Sequence, residues 1–376
     1  MPEGLLFSAK GCKIITKTQT EVSFMFKMGV IGWGGMGHWH TKLVREHISR
    51  LSVKGAYDIN PEKKESMLRH DLVPYETADA LLADPEIDLV LLSVPNNFHK
   101  DYAIRALRAG KHVLCEKPVM MDSAELEEVL AVAEETGKIF TVHQNRRWDR
   151  DYLIVKDVLK KGTIGKPFFI ENRVDGARGI PGDWRCTKVA GGGMMLDWGV
   201  HLIDQMLMLI DSPVTEIYAQ VLNLKYEEVD DNFKMMMKFE NGVNGLVEVG
   251  TFHFIPQPRW YINGDAGTLL IKDWGSGADI IRELDTEMDW EMGIVYTAAG
   301  PTRTMAARPK DSTESSHIDI APKQTNYMLH EMLVDAMETG DYSKVAVQPN
   351  EVRRSMKVME AAFRSSAEGI VVKDRI

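Results

Sequence analysis

The chain has 376 residues, of which 44% are hydrophobic and 27% are charged, and its formal net charge is −10. This length exceeds one ordinary hydrophobic core, so we expect a globular protein of two domains. The acidic balance argues against nucleic acid as the main partner. The sequence contains no apolar run long enough to span a membrane. Three scattered cysteines, Cys12, Cys115 and Cys186, favour a reducing, cytoplasmic location over a disulfide framework.

Residues 1–27 precede the first recognisable motif and lack the long apolar core of a signal peptide. The stretch 13–26 alternates polar and apolar residues and could form a strand. Met28 is itself a possible start of the protein. We treat residues 1–27 as an N-terminal extension and assign no chemistry to it.

The first motif follows a short apolar run that ends at Ile31. Gly32, Gly34 and Gly37 have the spacing G-x-G-x-x-G, and a helix can form after them. In a dinucleotide site, these glycines allow a tight turn, close approach of a pyrophosphate and close packing of helix on strand. The helix start then presents free N–H groups to the phosphates. The residues predicted to contact the cofactor here are Gly32, Trp33, Gly34, Gly35, Met36 and Gly37.

An acidic residue supports this interpretation. Asp58 ends a second apolar run, 21 residues beyond Gly37, where a carboxylate can bind the ribose hydroxyls of NAD. The alternative is a plain strand-turn-helix corner. We predict a dinucleotide site because the glycines and the acid occur together in the expected order.

Residues 28–148 alternate between short apolar runs and helical stretches. The clearest helix starts after Asp122, with Glu125 as a capping-box partner and Gly137 as its stop. This alternation predicts a doubly wound parallel sheet, an NAD-binding Rossmann domain, with ligands at the carboxyl ends of the strands. The six predicted strands are 28–32, 53–57, 72–75, 88–94, 112–115 and 139–143.

Residues 149–376 have a different pattern, typical of an α+β domain with a mostly antiparallel open sheet plus helices. Asn241-Gly242 is a strong hairpin turn, and the region 297–324 has the composition of a long loop. We expect this half to hold the substrate and to mediate oligomerisation. Its predicted strands are 214–225, 232–240, 243–254, 259–263 and 268–272, and its predicted helices are 149–161, 194–210, 325–339 and 349–366.

Two features could handle a substrate directly. Glu116 and Lys117 follow the fifth predicted strand, where the nicotinamide should lie, and Lys117 could donate to a substrate hydroxyl or relay its proton. Asp197 and His201 are spaced i, i+4, so a helix would place both on one face. A histidine titrates near neutrality and can take a hydroxyl proton. The non-functional alternatives are that Lys117 is a surface lysine in a turn, and that Asp197 and His201 are a surface or capping pair.

Several further residues are candidates for the cleft wall. Pro95, Asn96 and His99 follow the fourth predicted strand and could border the cofactor, although a histidine at a helix start is often only structural. Substrate contacts are predicted for residues near the domain junction and before the glycine run at 191–193, each of which could instead be packed or solvated. These are Asn145, Arg147, Arg178, Trp184 and Arg185. We expect no metal, because no His/Cys cluster has zinc spacing in the sequence.

Taken in order, GWGGMG, VPNNFH, EKP and GGGMMLDWGVH resemble the motifs of the glucose–fructose oxidoreductase/inositol dehydrogenase (Gfo/Idh/MocA) family. The resemblance runs from Met28 to the C-terminus. It implies a Rossmann domain, a C-terminal open sheet that often builds oligomer contacts, and a Lys-Asp-His active site. Matched to this sequence, those residues are Lys117, Asp197 and His201. The Lys117–Pro118 bond is often cis in such proteins, which would aim the lysine inward.

The resemblance also bears on the cofactor. Asp58 fits the members that prefer NAD, because the residues that follow it, 59–61, include no basic group to neutralise a 2′-phosphate. We therefore expect an NAD-dependent oxidoreductase that oxidises a secondary hydroxyl of a sugar, glycoside or cyclic polyol, as a homo-oligomer (dimer or tetramer). Two alternatives remain open. One is redox-assisted glycoside cleavage or sugar transhydrogenation with tightly bound NAD, and the other is a non-catalytic NAD-binding sensor.

Overall fold

The computed structural model describes residues 25–284, 293–303, 308, 310–320 and 325–376. Cys12 and nearly all of the predicted N-terminal extension, including its possible strand, lie outside the described residues. Within the described ranges, the chain forms two large sheets, each packed against helices. No helix in these ranges has both the length and the apolar character required to cross a membrane.

The first sheet is parallel throughout, with strand order β3-β2-β1-β4-β5-β6. The central strands read as continuous apolar runs because helices cover both faces of the sheet, and all four residues of β4 are buried. The prediction of a doubly wound sheet of six strands is confirmed. These strands are β1 (Phe26–Ile31), β2 (Leu51–Tyr57), β3 (Val73–Pro74), β4 (Leu89–Leu92), β5 (His112–Cys115) and β6 (Phe140–Val142).

Five helices connect these strands. The caps of the fifth helix follow the sequence: Asp122 accepts a bond from the backbone N–H of Glu125 at 2.8 Å, and Gly137 ends the helix with a φ of 62°. The Glu125 carboxylate accepts from the N–H of Met121, one residue before the expected partner. The five helices are α1 (Gly35–His47), α2 (Lys63–Arg69), α3 (Ala78–Leu82), α4 (His99–Arg108) and α5 (Ser123–Thr136).

The second sheet has eight strands in the order β16-β13-β12-β11-β7-β10-β9-β8. It is antiparallel except for the parallel neighbours β7 and β10, so the predicted α+β architecture is confirmed as a mixed sheet. Its strands are β7 (Pro167–Asp175), β8 (Val214–Leu222), β9 (Asn232–Phe239), β10 (Asn244–Gly250), β11 (Trp260–Gly264), β12 (Gly267–Ile271), β13 (Ala278–Glu283) and β16 (Thr313–Ile318). A separate hairpin comprises β14 (Val295–Thr297) and β15 (Gly300–Thr302).

Four helices accompany this sheet: α6 (Arg150–Lys161), α7 (Val200–Leu209), α8 (Met328–Thr339) and α9 (Pro349–Glu368). The predicted helix 194–210 is divided, because a π-helical turn, Met195–Gly199, precedes α7. The hairpin turn at Asn241-Gly242 is confirmed between β9 and β10, and Gly242 has a φ of 89°.

Several parts of this half differ from the sequence prediction, and β13 is among the strands that were not predicted. The strand β7 was not predicted, because it carries polar side chains that are buried but paired, such as Arg173, whose Nε lies 3.1 Å from Glu248 Oε2. The predicted loop 297–324 contains the strand β16. This strand lies at the sheet edge, where its polar sequence faces solvent, so it lacks the alternation typical of a half-buried strand.

The last two helices return to the first sheet. Arg50, just after α1, forms ion pairs at 2.6 to 2.8 Å with three acids of α8. Thr141 on β6 donates to the carbonyl oxygen of Val347, and Ser123 at the start of α5 donates to Glu360 on α9. The C-terminal segment thus fixes the orientation of the two halves around the cleft between them.

Candidate active site

A cleft of about 640 Å³ lies at the carboxyl ends of the parallel strands, where ligands of such sheets bind. Its walls come from both halves of the chain. Twelve residues singled out in the sequence line it: Gly32, Gly34, Gly35, Met36, Asp58, Pro95, Asn96, Glu116, Lys117, Trp184, Arg185 and Asp197.

The glycine turn is shaped as a dinucleotide site requires. Gly32 has a φ of 97°, and a Cβ there would lie 2.4 Å from the carbonyl oxygen of Ser93. A Cβ on Gly37 would lie 2.6 Å from the carbonyl oxygen of Gly32, so helix and strand pack too closely for a side chain. A Cβ on Gly34 would meet no described protein atom within 4 Å. The backbone at Gly34 is therefore open to a ligand at the start of α1.

Asp58 is held beside this turn. Its Oδ2 accepts from the backbone N–H of Trp33 at 2.7 Å, and its Oδ1 accepts from Asn60 N–H at 2.9 Å. The Trp33 side chain points away from the cleft, because its indole is buried and donates to Ser66. Only the backbone of Trp33 is available to a cofactor.

The loop after β4 forms the next part of the wall. Asn96 is buried and donates to the carbonyl oxygen of Gly191 at 2.6 Å, which joins the two halves. His99, which was predicted to border the cofactor, does not line the cleft. Its ring is fully buried, and its nitrogens lie 2.9 Å from Val94 O and 3.0 Å from Pro118 O. Burial lowers the pKa of His99. Through these two contacts, the ring connects two strand-end loops.

Lys117 and Asp197 meet across the cleft. The Lys117–Pro118 bond is cis, and Lys117 Nζ donates to Asp197 Oδ1 at 2.8 Å and to Asp197 O at 2.7 Å. Arg185 Nε lies 3.5 Å from the other carboxylate oxygen. Burial opposes ionisation of Asp197, but the charges of Lys117 and Arg185 outweigh it and hold its pKa below the ordinary value. Asp197 is therefore a carboxylate flanked by two cations.

His201 lies four residues after Asp197, at the start of α7, and is 4% exposed. Its Nδ1 is 3.3 Å from Gln144 Oε1. Burial, together with the positive charges of Lys117 and Arg146, lowers its pKa well below the ordinary value, so the ring is neutral at pH 7. The histidine is behind the cleft wall rather than on it.

Arg185 and Trp184 occupy the short turn Trp184–Cys186, and the Arg185 guanidinium lies 4.6 Å from the Trp184 ring centroid. Asp183 caps this turn and pairs with Arg185 at 2.7 Å. A flat cation and an aromatic face thus border the side of the cleft opposite the glycine turn.

Three other predicted substrate residues lie elsewhere. Arg147 does not line the cleft: its guanidinium is buried and pairs with Asp204 at 2.6 Å and with Glu351 at 2.8 Å. Asn145 is half-buried in a 3₁₀ turn and Arg178 is exposed after β7, and neither lines the cleft. A position near the domain junction does not determine where a side chain points.

Sequence reasoning missed several cleft residues. Tyr57, Phe98 and Tyr102 line it beside the predicted turn and loops. Tyr57 directly precedes Asp58, so its position at a strand end was an available signal.

Glu116 links the cleft to a buried group of histidines. Its Oε1 accepts from His40 Nε2 at 2.8 Å and from His143 Nδ1 at 2.9 Å. Although burial opposes ionisation, these partners hold the pKa of Glu116 well below its ordinary value. Burial lowers the pKa of His40 to about 4 and that of His330 well below its ordinary value, so both rings are neutral. The linear sequence gave no sign of this cluster.

The parallel sheet, the glycine turn and the acid after β2 define a Rossmann dinucleotide-binding protein with a second, ligand-facing domain. Residues 26–144 match the family model for the oxidoreductase family with an NAD-binding Rossmann fold, and residues 152–270 match the GFO/IDH/MocA C-terminal domain. The chain belongs to the Gfo/Idh/MocA family of oxidoreductases.

Individual relatives agree with this assignment. An uncharacterised oxidoreductase of Schizosaccharomyces pombe is 35% identical over 79% of this chain and 84% of its own length. The crystal structure of an NAD-binding protein from Listeria innocua is 41% identical, with a TM-score of 0.88 over 93% of this chain and 100% of that one. A scyllo-inositol 2-dehydrogenase (NADP(+)) of Bacillus subtilis is 25% identical over 91% of this chain and 94% of its own length.

Proposed function

We propose that this oxidoreductase uses NAD to oxidise a secondary hydroxyl of a sugar, glycoside or cyclic polyol to a ketone. The observation that carries the proposal is the Lys117–Asp197 pair, which lies in the same cleft as the glycine turn and Asp58. A cation that can hydrogen-bond a substrate oxygen is thereby close to the space suited to a dinucleotide.

The chain's residues fit the cofactor. Gly34 leaves open space at the start of α1 for a pyrophosphate, and Asp58 has a carboxylate at the cleft for ribose hydroxyls. When bound at these residues, NAD would supply the acceptor for a hydride from the substrate carbon. The acid at Asp58 supports NAD over NADP, because a carboxylate repels a 2′-phosphate.

The protein residues would handle the proton. In this proposal Lys117 hydrogen-bonds the substrate oxygen and relays its proton, and Asp197 keeps that lysine oriented. Neutral His201, behind the cleft wall, receives the proton from Lys117. Trp184 and Arg185 suit a polyhydroxylated ring, since an aromatic face packs on C–H groups and a guanidinium donates to hydroxyls. The inositol-directed name of the Bacillus subtilis relative supports a polyol, although that name specifies NADP(+).

We also propose that the protein is a homo-oligomer. One face of the second sheet carries Tyr218, Met236 and Leu246 in adjacent register, and the first two are each 42% exposed. Apolar side chains clustered on an otherwise uncovered sheet face favour burial against another subunit.

The test follows absorbance of reduced nicotinamide in purified protein mixed with inositols, aldoses and glycosides, first alone and then with NAD or NADP. Many turnovers of free NAD with one substrate class, and formation of a ketone, would support the proposal. Reduction of a single bound equivalent with release of an aglycone, or with exchange between two sugars, would favour redox-assisted cleavage or transhydrogenation. No reduction across the panel, with cofactor bound, would favour a sensor.

A further inference from the structure

Three histidines from distant parts of the sequence meet behind the cleft wall. His40 lies on α1, His143 follows β6 and His330 lies on α8, and all three are buried. One ring nitrogen from each lies within 4.8 Å of the others. The ring centroids are 4.2 to 5.6 Å apart.

Glu116 sets the proton positions on two of these rings. Its ionised Oε1 can only accept, so the protons are on His40 Nε2 and His143 Nδ1. In neutral rings, the lone pairs are then on His40 Nδ1 and His143 Nε2. His40 Nδ1 is 2.8 Å from His330 Nε2.

Two nitrogens of the cluster have no hydrogen-bond partner within the described chain. They are His143 Nε2 and His330 Nδ1, and both are buried. Burial of a polar atom without a partner is destabilising. For His143, the unpartnered atom is the lone pair that Glu116 leaves available, so the cluster contains an unused donor atom for a ligand.

We propose that His40, His143 and His330 bind one divalent transition-metal ion of the zinc class, with Glu116 orienting two of the ligands. A carboxylate that accepts the second N–H of a metal-bound histidine is a recurring arrangement in zinc sites. Three imidazoles select zinc, cobalt, nickel or copper over magnesium or calcium. Zn–N distances of about 2.0–2.1 Å require the three nitrogens to draw together, replacing the hydrogen bond between His40 and His330.

Such an ion would join α1, the loop after β6 and α8 at one point. It would therefore stabilise the contact between the Rossmann half and the C-terminal helices, by an amount that grows with metal concentration. This inference does not depend on the proposed reaction, since neither the substrate nor the dinucleotide takes part in metal binding.

The test uses untagged, full-length protein stripped with a chelator and titrated with Co²⁺ and with Zn²⁺. We expect one equivalent of Co²⁺ to bind, with the visible absorption of a four-coordinate ion, and Zn²⁺ but not Mg²⁺ to raise the melting temperature. If the stripped wild-type protein binds no stoichiometric Co²⁺ or Zn²⁺, the proposal is overturned and the cluster is a histidine hydrogen-bond network.

Variants locate the ion. We expect His143→Gln and His330→Gln to abolish stoichiometric binding, and Glu116→Gln to weaken it about 10–100-fold. His47→Gln is the matched control, because His47 ends the same helix as His40 but is exposed. Stoichiometric binding that persists in both cluster variants would assign the ion to another site and refute the proposal. If a variant does not fold, the wild-type titration still decides whether an ion binds.

Discussion

At the scale of single residues, the candidate side chains differ in position, because some face the cleft and one lies behind them. Lys117 and Asp197 line the cleft, whereas His201 is enclosed at the start of α7. The proposed base can therefore be removed without removing a wall of the cofactor site.

We predict that His201→Ala loses about 10²- to 10⁴-fold in turnover, the usual contribution of a general base. NAD affinity should stay within about twofold of wild type, because His201 does not line the cleft. Steady-state kinetics and a fluorescence titration with NAD measure the two effects. His317→Ala, which changes an exposed histidine of β16, serves as the control, and wild-type turnover in His201→Ala would remove the residue from the mechanism.

The pH dependence provides an independent check. The pKa of His201 is lowered well below its ordinary value by burial and by Lys117 and Arg146. A base acts in its neutral form, which persists at every pH above the lowered pKa. We therefore expect kcat/KM to show no loss between pH 8 and the ordinary histidine pKa of about 6.5 as pH falls. An acidic limb centred near pH 6.5 would contradict this assignment.

At the scale of elements, two glycines of one turn should respond differently to the same change. Gly37→Ala puts a Cβ 2.6 Å from the carbonyl oxygen of Gly32 and should destabilise the fold by about 1–3 kcal/mol. Gly34→Ala meets no atom of the described residues within 4 Å, so it should cost less than about 1 kcal/mol but weaken NAD binding. Thermal melts and NAD titrations of both variants test this. Equal effects on stability would show that the turn is not packed as described.

The elements also show what the sequence could predict. Buried parallel strands such as β4 can be recognised in the sequence as apolar runs. Asp122 and Gly137 indicate where α5 begins and ends. The strand β16 was missed because an edge strand can be polar on both faces. In the site, strand ends and the glycine spacing identified the cleft, since parallel strands finish at one edge. The orientation of the Arg147 side chain and the proximity of the three distant histidines depend on tertiary packing. Local sequence patterns do not predict such packing.

At the scale of the whole molecule, Arg147 joins three segments. Its guanidinium pairs with Asp204 of α7 and Glu351 of α9 and donates to the carbonyl oxygen of Ala346. We predict that Arg147→Met destabilises the protein by about 3–5 kcal/mol, because it leaves Asp204 buried and unpaired.

The exposed pair of Arg353 with Glu127 is the matched control. Arg353→Met should cost no more than about 1 kcal/mol, the range for surface ion pairs. Urea denaturation of both variants measures the difference. Similar losses in the two variants would mean that burial of the Arg147 pair does not decide its contribution.

The uncovered sheet face leads to a prediction about assembly. We expect wild type to run as a dimer or tetramer in light scattering coupled to gel filtration, and Met236→Lys to shift it toward the monomer, because the change puts a charge at the centre of the apolar face. Met25→Lys, at another exposed methionine, should leave the assembly unchanged. A monomeric wild type at micromolar concentration would rule out this assembly.

Because α8 packs beside α1, some contacts of α1 form only after the C-terminal helices have been synthesised. The residues of the first sheet leave the ribosome long before residue 330, yet His40 Nδ1 reaches His330 only across 290 positions. The three ion pairs of Arg50 also wait for α8. A chain that ends before α8 therefore lacks the partners of His40 Nδ1 and of the Arg50 guanidinium. Translation of the C-terminal helices, rather than of the Rossmann half, completes the molecule.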